Sequence, residues 1–168
     1  MMPIFCLRLR VVAGGGGGPA RRAWAVLITQ NDGSGSYCGM TLLEMRTSVG
    51  GTNVIDESFR VVAAFGTPAI NSDNAIHKAF SSSLAEGYLS HHSDDTLVGW
   101  DFDAQGDGDK EIVEIVIYGS YNAPEASPVE FQLLSTPDDP TASPTWTVVQ
   151  SFVTATGWTA NEMRVFPV

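Results

Sequence analysis

The sequence predicts an all-β protein that folds as one β-sandwich. Glycine and proline, 17 and 9 of the 168 residues, cluster between short runs of Val, Ile, Phe and Thr. This pattern is typical of many short strands joined by turns. A chain of this length can bury one full core but falls short of what two domains need. We therefore expect one sandwich domain over residues 21–168.

The strands are predicted from runs of apolar and alternating residues that end at turn-forming sequences. The clearest is 111–118, where Ile and Val occupy five positions, and 59–65 is apolar at nearly every position, as in an inner strand. One short helical turn is expected at 75–80, where apolar residues are spaced for a single buried face. The expected strands are 23–30, 40–47, 59–65, 97–102, 111–118, 131–135, 145–153 and 163–168.

The first twenty residues are expected to form a flexible N-terminal arm. Residues 1–13 could form a short strand, but the five glycines at 14–18 followed by Pro19 disfavour regular structure because of their backbone entropy. A tether and a disordered extension both fit this composition. The opening MMPIFCLRLRVVA carries its arginines inside the apolar run, so it makes a poor signal peptide.

The segment 74–103 carries the first candidate site. Between its helical turn and its strand lie Tyr88, His91, His92, Asp94 and Asp95, with few aliphatic residues. An exposed polar loop between two buried elements is a common place for function. Imidazole and carboxylate groups can hydrogen-bond sugar hydroxyl pairs, and the tyrosine ring can cover the apolar side of a pyranose. A zinc site and a plain solvated loop are the alternatives, and the solvated loop is favoured over zinc.

The acidic segment 103–114 nearly matches a twelve-residue calcium loop. Asp103, Asp107 and Asp109 stand at ligand positions, with a glycine at the sixth position. Gln105 supplies only a neutral oxygen, Lys110 replaces the usual hydrophobic residue, and strands flank the segment instead of helices. An acidic turn between strands is therefore the favoured interpretation.

Several of these motifs, taken in order, resemble the discoidin or galactose-binding-like domain of the coagulation factor 5/8 C-terminal type. AIHKAF at 75–80, a Tyr-containing loop and LVGWDF at 97–102 are similar to the centre of that family's pattern. The opening and closing motifs look most like versions found in phage virion and tail proteins. The other matching segments are WAVLIT at 24–29, LLEMR at 42–46, PVEFQLLS at 128–135, WTVV at 146–149 and TGWTANEMRVF at 156–166.

This resemblance implies a jelly-roll sandwich and a non-catalytic module that binds glycans or cell-surface polymers. A virion-associated accessory or decoration protein is the setting it implies, and the localisation expected is therefore virion or extracellular. The alternative is a purely structural virion protein whose sandwich contacts other virion subunits and binds no sugar. Homo-oligomers are expected in either case, and no G-x-S-x-G or other nucleophile motif points to an enzyme.

The resemblance also implies a structural calcium ion beneath the turn at 74–83. Asp73 and Glu162 are the only charged ligands that it suggests. Ser81 and Ser82 replace the family's Asp-Gly, so few carboxylates would face a cation that prefers them. We expect this site to be empty or weak.

The four tryptophans lie in strand-like runs, so they are expected mainly in the core: Trp24, Trp100, Trp146 and Trp158. Trp158 follows a glycine near a turn and is the one expected to reach the surface and a ligand. Leu89 stands where the family carries a second aromatic residue, so one stacking surface is expected to be missing.

Charge and cysteine content exclude several classes of function. With 9 Lys and Arg against 19 Asp and Glu, the formal net charge is −10, which repels nucleic acid and anionic membranes. Cys6 and Cys38 are too few for a disulfide framework, and free thiols are expected. No apolar stretch is long enough to cross a bilayer, so membrane insertion is not expected.

Overall fold

The computed structural model describes residues 8–11, 21–91 and 95–168. Most of their regular structure is β-strand, arranged in sheets that are antiparallel except at one edge, which confirms an all-β sandwich. The strands are β1 Arg8–Val11, β2 Ala23–Asn31, β3 Cys38–Met40, β4 Leu42–Arg46, β5 Ala64–Gly66, β6 Tyr88–Ser90, β7 Thr96–Asp101, β8 Glu114–Tyr118, β9 Pro128–Thr136, β10 Thr145–Val153 and β11 Met163–Pro167.

The helices of the described chain are single turns. Two are α-helical, α1 Arg60–Ala63 and α2 Phe102–Gln105. The others are 3-10 turns at Glu57–Phe59, Ser72–Asn74, Ile76–Phe80 and Pro124–Ala126. The turn at Ile76–Phe80 confirms the helical turn predicted at 75–80, and it buries Ala79 and Phe80.

Three sheets make up the sandwich. The largest has the order β1-β10-β9-β2-β7-β5, the second has the order β11-β8-β4, and the third pairs β3 with β6. Strand β1 runs parallel to β10 at the edge of the large sheet, so this part of the predicted arm is a strand. The rest of residues 1–20 lies outside the described residues.

The main core lies between the large and the three-stranded sheet and is rich in aromatic rings. Phe131 contacts Phe152 and Phe166, with ring centroids 5.0 and 4.9 Å apart. The buried indoles of Trp24 and Trp100 donate hydrogen bonds to the Lys110 carbonyl and to Oε1 of Gln105. The N–H groups of both buried indoles therefore have hydrogen-bond acceptors.

A second apolar cluster covers the other face of the large sheet. The ring of Phe65 lies over Gly99, where an added Cβ would overlap it. It stacks on Trp146, with centroids 5.8 Å apart. These two residues come from β5 and β10, which are separated by three strands, so the rings meet above small residues such as Ala25.

The strand predicted at 59–65 is wrong over most of its length. The chain forms a 3-10 turn and α1 there, and only Ala64–Gly66 pairs as a strand. Val61 and Val62 are 74% and 68% exposed, and Phe59 is 38% exposed, although the apolar run suggested full burial. Strand β7 ends at Asp101, the residue opposite Ala63, and the chain then enters α2, so a longer β5 would have no partner in β7 before Ala63.

Candidate functional site

The candidate site lies at one end of the sandwich, which we call the loop end. It comprises segments 32–37, 119–127 and 154–162 together with His91 and Asp95. Strands β7 and β9 both run antiparallel to β2, so the end of β2 meets the beginnings of β7 and β9 here. Backbone hydrogen bonds from Asp32 to Ser127 and from Ser34 to Glu125 hold two of the segments together.

Asn31 fixes the conformation of the first of these segments. Its side chain is buried at the end of β2, and Nδ2 donates to the carbonyls of Ser34 and Tyr37 at 2.9 and 2.6 Å. Its Oδ1 accepts a hydrogen bond from the Gly33 amide at 3.0 Å. One amide thus closes the whole turn, and the position of Tyr37 follows from it.

The exposed rings of Tyr37 and His91 form a pair at the loop end. Their centroids are 5.7 Å apart and their planes are inclined by 38°. The pairing follows from sheet register. Cys38 of β3 lies opposite Ser90 of the antiparallel β6, so Tyr37, which precedes Cys38, lies across from His91, which follows Ser90. Tyr37 is 37% exposed and His91 is also exposed, so this pair offers an aromatic surface to a ligand.

Asp32 joins the segment that carries Tyr37 to segment 154–162. Its Oδ2 accepts hydrogen bonds from the amides of Gly157 and Trp158, both at 2.7 Å. Gly157 has φ of +80°, a conformation that glycine adopts at little cost. The carboxylate therefore acts as a clasp: its hydrogen bonds hold segments 32–37 and 154–162 of the loop end together.

Trp158 lies beneath this clasp and is covered by Arg164. The guanidinium carbon lies 3.9 Å from the centroid of the indole ring, and the indole N–H donates to the Pro128 carbonyl at 2.9 Å. Nε of Arg164 donates to Oε1 of Glu162 at 2.7 Å, and the Thr159 amide donates to Oε2 of the same carboxylate. These two hydrogen bonds lower the pKa of Glu162. Only 5% of Trp158 is exposed, so the expectation that it reaches a ligand is wrong.

The predicted role of Tyr88 is also wrong. Tyr88 belongs to β6, is 1% exposed, and donates its hydroxyl hydrogen bond to the Thr67 carbonyl at 2.7 Å. Burial raises the pKa of its phenol, and its ring has no face free for a sugar. The segment predicted as a polar loop therefore contains a buried strand, and Leu89 is buried with it.

The remaining sugar-binding candidates have different outcomes. His91 is exposed and paired with Tyr37, as described above. Asp95 is exposed at the start of β7 and has φ of +53°. His92 and Asp94 lie outside the described residues.

The residues implied for a calcium site beneath the turn at 74–83 do not fit an ion. The Glu162 carboxylate is paired with Arg164 and accepts from the Thr159 amide, so a cation already occupies its coordination space. The carbonyl of Asp73 accepts a hydrogen bond from Nζ of Lys78 at 2.8 Å. An ammonium group beside this turn opposes the binding of a second cation.

The acidic segment after β7 does not form a calcium loop either. Asp103 lies in α2 and 3.7 Å from the guanidinium of Arg22, and Asp107 pairs with Lys110 at 3.1 Å. Asp109 is exposed. Among the described residues, no three His, Cys, Asp or Glu side chains come together in a way that could hold a metal ion.

Tyr37 is the functional candidate that sequence reasoning missed. It follows a run of turn residues and directly precedes Cys38, the first residue of β3, a strand that was not predicted. The alternation of β3 and its register with β6 are the signals that could have identified it.

No family model, curated protein or solved structure matches this chain. Within the described residues, none of the helices is long and apolar enough to span a membrane.

Proposed function

We propose that this protein is a non-catalytic module that binds glycans or other cell-surface polymers through its loop end. The observation that carries the proposal is the exposed Tyr37–His91 ring pair, held on a clasped surface at the end of a β-sandwich. The resemblance to discoidin-like domains supports a jelly-roll form of the sandwich. It also supports a virion-associated accessory or decoration protein as the setting.

The chemistry of the ring pair suits a sugar. The Tyr37 ring offers a flat apolar surface for the C–H face of a pyranose, while its hydroxyl and the imidazole of His91 offer hydrogen bonds to sugar hydroxyls. Ser36 directly precedes Tyr37 and adds a hydroxyl, and the exposed Asp95, four residues after His91, adds a carboxylate to the loop end. Because one such surface binds weakly, useful strength would come from several copies presented together.

A glycan array with the purified chain tests this proposal. We expect reproducible binding of a defined set of glycans, and a loss of about tenfold in Tyr37→Ala, equivalent to about 1.4 kcal/mol of lost contact. His91→Ala is expected to weaken the same glycans. Phe59→Ala is the matched control, because Phe59 is 38% exposed and lies outside the loop end.

Binding that survives both loop-end substitutions, or that is lost equally in the control, would refute the assignment of the site. Binding of no glycan by the intact protein would refute the proposed function.

A purely structural role is the second candidate, and the apolar surface around α1 favours it. Val61 and Val62 are exposed side by side, with Phe59 one residue before α1. Exposed clusters of this kind often contact another protein. If the sandwich serves to join virion subunits, analytical ultracentrifugation should show concentration-dependent association that Val61→Ser with Val62→Ser abolishes. A monomer at all concentrations would argue against self-association through this surface.

A further inference from the structure

Carboxylates dominate the charge of the loop end. Asp32 and Glu125 lie on two of its segments, Asp95 lies before β7, and Glu162 lies before β11. Asp95 and Glu125 are exposed to solvent. A ligand at the loop end would therefore meet a negative potential.

Arg164, which follows segment 154–162, is a cation at this end, and it is already committed. The guanidinium of Arg164 pairs with Glu162, donates to the Ala155 carbonyl and to Oγ1 of Thr154, and covers the indole of Trp158. Its Nε and Nη1 donors are therefore used inside the loop end.

Two other arginines of the sandwich are paired away from the loop end. At the start of β2, Arg22 donates from Nε and Nη2 to Asp101 at 3.1 and 2.9 Å. Arg46, at the end of β4, pairs with Glu114 at 2.9 Å. Arg22 and Arg46 are thus held at the opposite end of the strands.

We propose that the loop end selects uncharged glycans and rejects acidic ones, that is, sugars that carry sialic acid, uronic acid, sulfate or phosphate. This inference rests on the proposed function and names its ligand class. Segments 32–37, 119–127 and 154–162 contain no Lys or Arg, so an acidic substituent at these segments would approach carboxylates and a guanidinium, that of Arg164, which is already paired with Glu162. A neutral sugar would meet the same rings and hydrogen-bonding groups without this repulsion.

The test compares neutral oligosaccharides with their sialylated and sulfated counterparts on one array, at low and at high salt. At low ionic strength we expect about a tenfold preference for the neutral form, the size expected for a few net charges at a distance on the order of 10 Å in water. In about 0.5 M salt the preference should shrink toward about twofold, because the Debye length falls to a few ångströms. A steric mismatch would give a preference that salt does not change.

Glu125→Gln removes one exposed charge from the loop end without altering the ring pair, and it should reduce the low-salt preference by about half. Glu111→Gln, the matched control on the far side of the sandwich, should leave the preference intact. Acidic glycans that bind as well as neutral ones, or a preference that is indifferent to salt and to Glu125→Gln, would overturn this inference alone. Binding of neither class would overturn both this inference and the proposed function.

Discussion

Replacement of Asn31 by aspartate is expected to unfold the segment that carries Tyr37 at neutral pH. The introduced carboxylate would lie within 2.6–2.9 Å of two carbonyl oxygens to which the native amide donates. Two hydrogen bonds are lost, each worth about 1 kcal/mol net, and two acceptors then face a negative charge. We expect a cost of about 2–3 kcal/mol, which in a chain of this size lowers Tm by roughly 5–10 °C.

The pH dependence of this variant gives the sharper test. Two carbonyls beside the new carboxyl favour its protonated form, so its pKa in the folded state is raised above that in the unfolded chain. The destabilisation is therefore full at pH 7 and is relieved as the pH falls through the folded-state pKa. Melting curves of Asn31→Asp and the native protein from pH 7 to 4 should converge as the pH falls.

Asn122→Asp is the control for charge at the same end of the molecule. Asn122 is exposed, and its Oδ1 accepts from the Ser120 hydroxyl, a role that a carboxylate can take over. We expect a change in Tm of no more than about 2 °C in this control. If Asn31→Asp melts like the native protein at pH 7, the account of how Tyr37 is positioned is wrong.

Three further substitutions test the scaffold. Gly99→Ala should cost about 1–3 kcal/mol because the new methyl overlaps the aromatic ring that crosses this glycine, whereas Gly35→Ala, with open space around it, should be nearly neutral in denaturant titrations. Glu114→Gln should cost about 3 kcal/mol because it removes the buried carboxylate charge that pairs with the half-buried Arg46, whereas Glu111→Gln, at an exposed position, should change the unfolding free energy by less than about 0.5 kcal/mol. Burial and nearby cations lower the pKa of His77, so the unfolded chain binds more protons and stability falls as the pH drops below about 6.5; His77→Gln should flatten the Tm profile between pH 7 and 5.

The strands could be predicted where the pattern of apolar residues fitted a strand and no other element. Residues 145–153 form β10 with the predicted bounds, and Trp24 and Trp100 are core residues as expected. The run at 59–65 was ambiguous, because a continuous apolar run fits a buried strand or a turn of helix equally well. Its structure depends on where β7 ends, which lies forty residues away in the chain.

The candidate site was predictable only in part, because it depends on strand register. His91 was identified from its polar surroundings, but Tyr88 was assigned to the wrong face because the short strand β6 was not anticipated. Tyr37 meets His91 across more than fifty residues of sequence, and only the pairing of Cys38 with Ser90 reveals it. A shift of one residue in that pairing would turn the two side chains to opposite faces.

Chemical-shift mapping during titration with the neutral glycan that binds most strongly on the array tests the central claim most directly. We expect the largest changes on the aromatic resonances of Tyr37 and His91 and on the amides of Ser34 and Gly35 between β2 and β3. The chemical shifts of Tyr88 and Trp158 should change little because both residues are buried. Those of α1 should also change little because α1 lies outside the loop end. Shifts centred on Val61 and Val62, with Tyr37 and His91 unchanged, would contradict the claim that the loop end is the binding surface.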